Sequence, residues 1–193
     1  NIRAVHSAMA PVSIETQPEP GITIGRRPDP LARVGVYAPG GRAAYPSSVL
    51  MGVIPARVAG VKEIIVCAPP APNGLPAAVT LAAAELSGAD RMFAVGGAGA
   101  IAAMAYGTET IPRVDRIVGP GNAYVAQAKL LVANTVAIDA PAGPSELLAI
   151  VDDDANPVRI AVELLAQAEH DPDAAVVLLA VGETIADRVV AEL

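Results

Sequence analysis

A chain of 193 residues is long enough for one large domain or two small ones, and at 53% hydrophobic and 17% charged it is too apolar for disorder. That balance matches compact α/β proteins whose central strands are covered on both faces. Lys and Arg number 13 against 20 Asp and Glu, a net charge of −7, and no basic run exceeds Arg26-Arg27, which excludes a nucleic-acid footprint and leaves small-molecule chemistry. Cys67, alone inside the apolar run 64–68, cannot make an internal disulfide and reads as a small core residue suited to a reducing compartment. No apolar run reaches the roughly 18 residues that cross a bilayer and no signal-peptide pattern opens the chain, so a cytoplasmic location is expected. The chain opens at Asn1 without a methionine and closes inside a helical pattern at Glu192-Leu193, so a piece of a longer protein is expected.

In chain order, residues 1–9 read as the end of a helix. Pro11, Pro18, Pro20, Pro28 and Pro30 then break every periodicity, which predicts an extended, turn-rich arm over 10–31 with a short strand at 22–24. From Arg33 onward short β-rich runs alternate with Ala-rich helical runs, the pattern of βα units feeding a parallel sheet. Strands are predicted at 34–37, 63–67, 92–95, 116–118, 136–139, 147–151 and 175–180, and helices at 47–59, 75–87, 98–106, 123–133, 157–170 and 185–193.

Three predicted strand-to-helix turns share a design: Tyr37-Ala38-Pro39-Gly40-Gly41, Val95-Gly96-Gly97-Ala98-Gly99 and Val118-Gly119-Pro120-Gly121-Asn122. In a parallel sheet all three fall along the carboxyl edge, where ligands bind. Glycine there admits close backbone approach, and the helix N-termini that follow present free N–H groups to phosphate or carboxylate. The alternative is turn chemistry alone, since every parallel α/β domain needs tight turns. The second loop also matches the dinucleotide fingerprint G-x-G-x-x-A at Gly97 to Ala102. However, the acidic residue that should end the next strand is replaced by Asp115, which precedes it, so the match carries little.

The only histidines are His6 and His170. His6 has no ligand-type neighbour and reads as a surface or packing residue. His170 lies three residues after Gln167, so both can project from one helical face and grip a ligand or metal at two points. A histidine in a last helical turn also gains from the helix dipole alone, and a zinc site needs further ligands from elsewhere. Glu169 and Asp171 read as supporting partners or solvated charges.

Taken in order, Gly35-Val36-Tyr37-Ala38-Pro39-Gly40-Gly41, Tyr45-Pro46-Ser47-Ser48-Val49-Leu50-Met51 and Ile54-Pro55-Ala56 resemble histidinol dehydrogenases. So do Tyr106-Gly107-Thr108-Glu109-Thr110-Ile111-Pro112, Gly119-Pro120-Gly121-Asn122-Ala123-Tyr124-Val125 with Ala128-Lys129, and Ile138-Asp139 followed by Ala142-Gly143-Pro144-Ser145-Glu146. Gln167-Ala168-Glu169-His170-Asp171 completes the set, which covers nearly the whole chain.

The resemblance implies NAD and zinc as cofactors and L-histidinol, oxidised in two steps to L-histidine, as substrate. It implies that Tyr37, Asn122 and the backbone of Pro120 and Gly121 contact NAD, that Ser145 contacts substrate, and that Gln167 and His170 ligate zinc and meet the substrate. Gly99 stands where the family usually carries a Gln that contacts NAD, and Ala166 where it usually carries Ser. The family's catalytic Glu-His pair, its other zinc ligands (an Asp and a later His) and its dimerisation tail have no counterpart in these residues, so no catalytic residue is assigned here and the isolated chain is expected to be inactive. The intact family enzyme is expected to be a homodimer.

The fold expected is α/β with two Rossmann-like parallel-sheet units, the second incomplete. An N-terminal arm spans 1–33, an NAD-binding unit 34–140, and the start of a zinc and substrate unit 141–193. A paralogous dehydrogenase of another polar alcohol, a non-catalytic nucleotide-binding module and a ligand-free scaffold are the rival readings.

Overall fold

The computed structural model describes every residue except 41–42, 142–144 and 171–173, and every side chain but those of residues 170 and 183 besides. The chain divides into two compact units, Asn1–Ala142 and Gly143–Leu193.

The first unit opens with helix α1 (Ile2–Ala8) and an antiparallel hairpin of β1 (Ile14–Glu19) and β2 (Ile22–Arg26), turning at Gly21 with φ +84°. The sequence pointed to an extended arm with one short strand; two strands form. Pro18 masked the first, yet a two-stranded ribbon has a free edge on which a missing N–H costs little, and the register slips between Thr16 and Glu19, where Pro18 falls.

A parallel sheet follows: β3 (Arg33–Tyr37), α2 (Pro46–Val58), β4 (Glu63–Ala68), α3 (Ala78–Ser87), β5 (Arg91–Ala94), α4 (Gly97–Tyr106), β6 (Arg116–Val118), α5 (Ala123–Val132) and β7 (Ala137–Ile138). The strand order is β5-β4-β3-β6-β7. From β3 the chain steps outward through β4 to β5, then returns to lay β6 on the other side of β3 and β7 beyond it. The order therefore reverses between β3 and β6, which makes this gap the topological switch point of a doubly wound sheet.

Both faces are dry because the strand residues alternate between two apolar clusters. Val34, Val36, Ile64 and Val66 meet Val49, Val53 and Ala56 of α2 and Ala83 and Ala84 of α3. Tyr37, Ile65, Cys67 and Ile117 meet Ile101 and Met104 of α4 and Val125 and Val132 of α5. Helix ends follow local chemistry: Pro46 opens α2, and Gly88, left-handed at φ +87°, closes α3. The sequence placed the start of α3 at residue 75, but Leu75 precedes Pro76 and the α region is closed to it. Instead Leu75 N–H donates to Asn73 Oδ1 in a turn and the helix begins at Ala78.

At the amino edge of the sheet, Glu63 Oε2 accepts from Arg33 Nε at 2.5 Å, and Asp115 Oδ2 accepts the Arg33 backbone N–H at 2.7 Å. Asp115 thus ties strands together at the edge away from the glycine turns, in keeping with the discounted fingerprint.

The second unit is a parallel pair, β8 (Glu146–Asp152) and β9 (Ala175–Val181), with α6 (Pro157–His170) and α7 (Glu183–Val190). Leu147, Ala149 and Val151 pair with Val176, Leu178 and Ala180 and face a small core with Ala161, Leu164, Ile185 and Val189. The opposite face carries Leu148, Ile150, Val177, Leu179 and Val181, all exposed. Asp153 Oδ1 accepts the N–H of Ile185 at 3.1 Å, so α7 is capped by a residue 32 positions away in sequence. Helix α7 consequently starts ahead of the expected residue 185.

Gly52 is where α2 rests on β3, since a Cβ there would lie 2.6 Å from Val36 Cγ1. Alanine gains about 1 kcal/mol of helix propensity over glycine, but overpacking a buried, stiff valine costs about 1–3 kcal/mol. Gly52→Ala is therefore expected to destabilise the first unit by about 1 kcal/mol, read as a lower urea midpoint at unchanged slope; a higher midpoint would show that α2 is not seated on Val36.

Candidate functional site

β3, β5 and β6 run parallel in one sheet, so the three glycine turns that follow them lie on one edge. They are also fastened to one another. The hydroxyl of Tyr37, whose side chain is buried, accepts the N–H of Gly97 at 3.0 Å and so joins the end of β3 to the start of α4. Gly119 has φ +117°, and a Cβ on it would lie 2.1 Å from the carbonyl oxygen of Tyr37, so the turn after β6 sits directly on the last peptide of β3. Pro69, just past β4, fills the space between: a Cβ on Gly96 would come within 2.5 Å of its Cγ, and one on Gly40 within 3.3 Å of its Cδ.

Asn122 caps α5, its Oδ1 accepting the N–H of Val125 at 3.1 Å, which leaves the amide Nδ2 as the group it can offer a ligand. Gly121 must lack a side chain because a Cβ would meet Val125 Cγ1 at 2.3 Å. Gly99 lies exposed in the first turn of α4 with nothing within 4 Å of a Cβ position. The first turns of α4 and α5 present backbone N–H groups along this edge. A cavity of about 760 Å³ runs beside α2, lined by Met51, Pro55, Val118, Gly119, Pro120 and Asp139 among others, and reaches the switch point. Under the edge, burial pushes the Cys67 thiol up to about 12, so it stays protonated and serves as core.

Two residues quoted above only as parts of motifs prove central. Lys129 is 1% exposed, with Nζ donating to Gly119 O at 3.1 Å, to Ala140 O at 2.9 Å and to Asp139 Oδ1. Asp139 in turn accepts the N–H of Gly119 on Oδ2 at 2.8 Å and that of Ala140 on Oδ1 at 2.7 Å. Burial pushes the Asp139 carboxyl up, but the Lys129 ammonium and the two backbone N–H donors outweigh it and hold the group below its ordinary value. The available signal was position: Val125, Lys129 and Val132 form the buried stripe of α5 at helical spacing, and a lysine in an apolar stripe needs a partner. Pro69 gave no such signal.

In the second unit, Gln167 on α6 reaches Ser145, the residue before β8. Its Nε2 donates to Ser145 Oγ at 2.7 Å and to Ser145 O at 3.0 Å. With the nitrogen so engaged, Oε1 is the atom of this amide that no described residue engages, and an amide oxygen can accept a bond or ligate a cation. His170 closes α6, and its side chain lies outside the described residues, as do Gly41, Ala142, Gly143, Pro144 and Asp171 of the quoted motifs. Among the described residues no group of three or more His, Cys, Asp or Glu could hold a metal ion, and no helix is long and apolar enough to cross a membrane.

A doubly wound sheet with glycine turns clasped together at its switch point defines a Rossmann-like α/β protein. A family model described as Histidinol dehydrogenase matches residues 1–193. Proteins named histidinol dehydrogenase from Methanosarcina mazei (55% identity over 196 residues) and Streptococcus mutans (52% over 193) match 100% of this chain and 45% of their own length. A crystal structure of histidinol dehydrogenase from Elizabethkingia anophelis superposes with a TM-score of 0.94 at 42% identity, over 99% of this chain and 44% of that one. The chain belongs to the histidinol dehydrogenase family, a family of oxidoreductases, and spans a little under half the length of these relatives.

Asp139, depressed in the folded state, contributes stability that is fully present above its unfolded value near pH 4 and is lost as pH falls through its folded value. The stability difference between the native chain and Asp139→Asn should therefore be largest at neutral pH and vanish in acid, measured by urea titration across pH. A difference that is flat with pH would mean the carboxylate is not held by Lys129 and the loop.

Proposed function

We propose that this stretch belongs to an enzyme that oxidises L-histidinol to L-histidine with NAD and zinc, and that it supplies the NAD cleft and one edge of the zinc and substrate site. The observation that carries the reading is that Tyr37, Gly99, Pro120, Gly121 and Asn122, assigned to NAD by resemblance, fall on one edge of one sheet, three of them within the turn at the switch point. On this reading the N-terminal arm is 1–33, the NAD-binding unit 34–140 and the zinc and substrate unit begins at 141.

The chain's own groups fit a dinucleotide. The N-termini of α4 and α5 offer N–H groups to the pyrophosphate, Asn122 offers Nδ2, and Gly121 lets the backbone approach closely. Tyr37 has its ring in the core and its hydroxyl on Gly97, so its part is to hold the α4 turn and to lend the hydroxyl hydrogen. In the second unit Gln167 holds Ser145 by its nitrogen, and its amide oxygen, a less frequent zinc donor than histidine or carboxylate, would join His170, three residues on along α6, in holding the metal. When bound, zinc would grip and orient the amino alcohol through its nitrogens, and NAD would accept hydride. No residue here is assigned as the general base, so this stretch binds and orients, and turnover belongs to the whole protein, a cytoplasmic homodimer on this reading.

Titration calorimetry of the 193-residue chain with NAD tests the cleft. Heat saturating at millimolar cofactor or below is expected, whereas no heat would leave the ligand-free scaffold. The same chain given histidinol, NAD and zinc should form little or no NADH, and robust turnover would show that the catalytic residues are misassigned. Gly99→Gln should tighten NAD binding, because the position is open and sits on the first turn of α4; unchanged affinity would argue against the family's cofactor pose. In the full-length protein, Gln167→Ala should lower zinc content and raise the KM for histidinol, and full zinc occupancy would remove Gln167 from the ligand set.

A further inference from the structure

We propose that Lys129 and Asp139 are positioning residues for the cofactor turn: together they hold the two peptide groups that flank the Gly119 Cα and thereby set where Pro120, Gly121 and Asn122 meet NAD. The inference rests on the NAD reading above. Lys129 takes the Gly119 carbonyl and Asp139 takes the Gly119 N–H, while each also bonds the backbone of Ala140 beyond β7. The turn is thus tied to the strand end that follows α5, as well as seated on Tyr37.

A purely structural account of the pair is weak. All three ammonium protons are used, two of them on main-chain carbonyls of the flanking turns, and both carboxylate oxygens accept from main-chain N–H groups. The polar groups are spent on the turn, with none on the helix core around them. Position 129 lies in the stripe with Val125 and Val132, where an apolar side chain of similar length would pack at least as well. The Lys129 side chain is 1% exposed and that of Asp139 38%, and the cost of burying the ammonium offsets much of what its pairing contributes, so a lysine here gives the fold little that a methionine would not. What methionine cannot do is hold the Gly119 carbonyl and neutralise the carboxylate that holds the Gly119 N–H.

The test uses the full-length protein and three variants: Lys129→Met, Asp139→Asn and the double substitution. Hydrogen exchange of a peptide containing Gly119, Gly121 and Asn122 reads the turn, thermal unfolding reads stability, and steady-state kinetics separate the KM for NAD from kcat. In Lys129→Met the turn's exchange should rise about tenfold or more with α3 and β5 unchanged, and the KM for NAD should rise about 10- to 100-fold, the usual loss when a supporting partner is removed. The double variant, which leaves no unpaired buried charge, should recover most of the unfolding midpoint while its KM stays high. A KM that recovers with the midpoint would make the pair a stability element only and overturn the proposal, as would unchanged exchange in Lys129→Met. A native protein that neither binds nor uses NAD removes the cofactor reading itself; the clamp on the turn is then judged on exchange alone.

Discussion

The contact on which the first unit turns is the seat of Gly119 against the carbonyl of Tyr37. Where a doubly wound sheet reverses direction, two strand ends leave the sheet side by side and their connections part in opposite directions, opening a crevice. Here the crevice floor is set by how closely the turn after β6 approaches the end of β3. Only a residue without Cβ, held at φ +117°, permits the approach seen. The Tyr37 hydroxyl extends the same clasp to α4, and Pro69 fills the gap that would otherwise lie between the turns of Gly40 and Gly96. The turns are packed directly against one another without a ligand, and such preorganisation is the condition for backbone donors to act as a preformed cradle.

Charge is used sparingly and with a division of labour between the two edges. At the amino edge, Arg33, Glu63 and Asp115 tie strand starts together among partly exposed groups, where such pairs add little each. At the carboxyl edge a single buried ammonium and its carboxylate hold a turn. A buried charge tolerates no loose partner, because an unmet proton in a low dielectric is costly, so the pair specifies one geometry for the turn. In the second unit the analogous ordering is lighter: an amide holding a serine, both near the surface.

Much of the fold was legible in the sequence because it is encoded locally. The alternation of Val34 and Val36 against Gly35 and Tyr37, the β-branched run at Glu63–Ala68, and the Ala-rich helices carry local signals, and every parallel strand of both units forms within a residue of its expected bounds. The departures have local causes too. The start of α3 moved because of Pro76, and the hairpin was missed because Pro18 obscures a strand whose residues are all exposed. Asp153 capping α7 and Pro69 bridging two turns had no local signature, since each acts on residues brought near only by the sheet.

The sequence by itself determined the family, the βα order and the placing of glycine-rich turns after three strands, because these are properties of residue type and spacing. Only the tertiary structure decided what those residues do to one another. It buried the Tyr37 ring and left its hydroxyl to Gly97, and it occupied the Gln167 nitrogen with Ser145. It also turned Lys129, by spacing a core position of α5, into the clamp on Gly119. The physical reason is that strand order is a non-local choice: placing β6 beside β3, across the 78 residues from Ala38 to Asp115 that include two other strands, puts the Tyr37 and Gly119 peptides in contact.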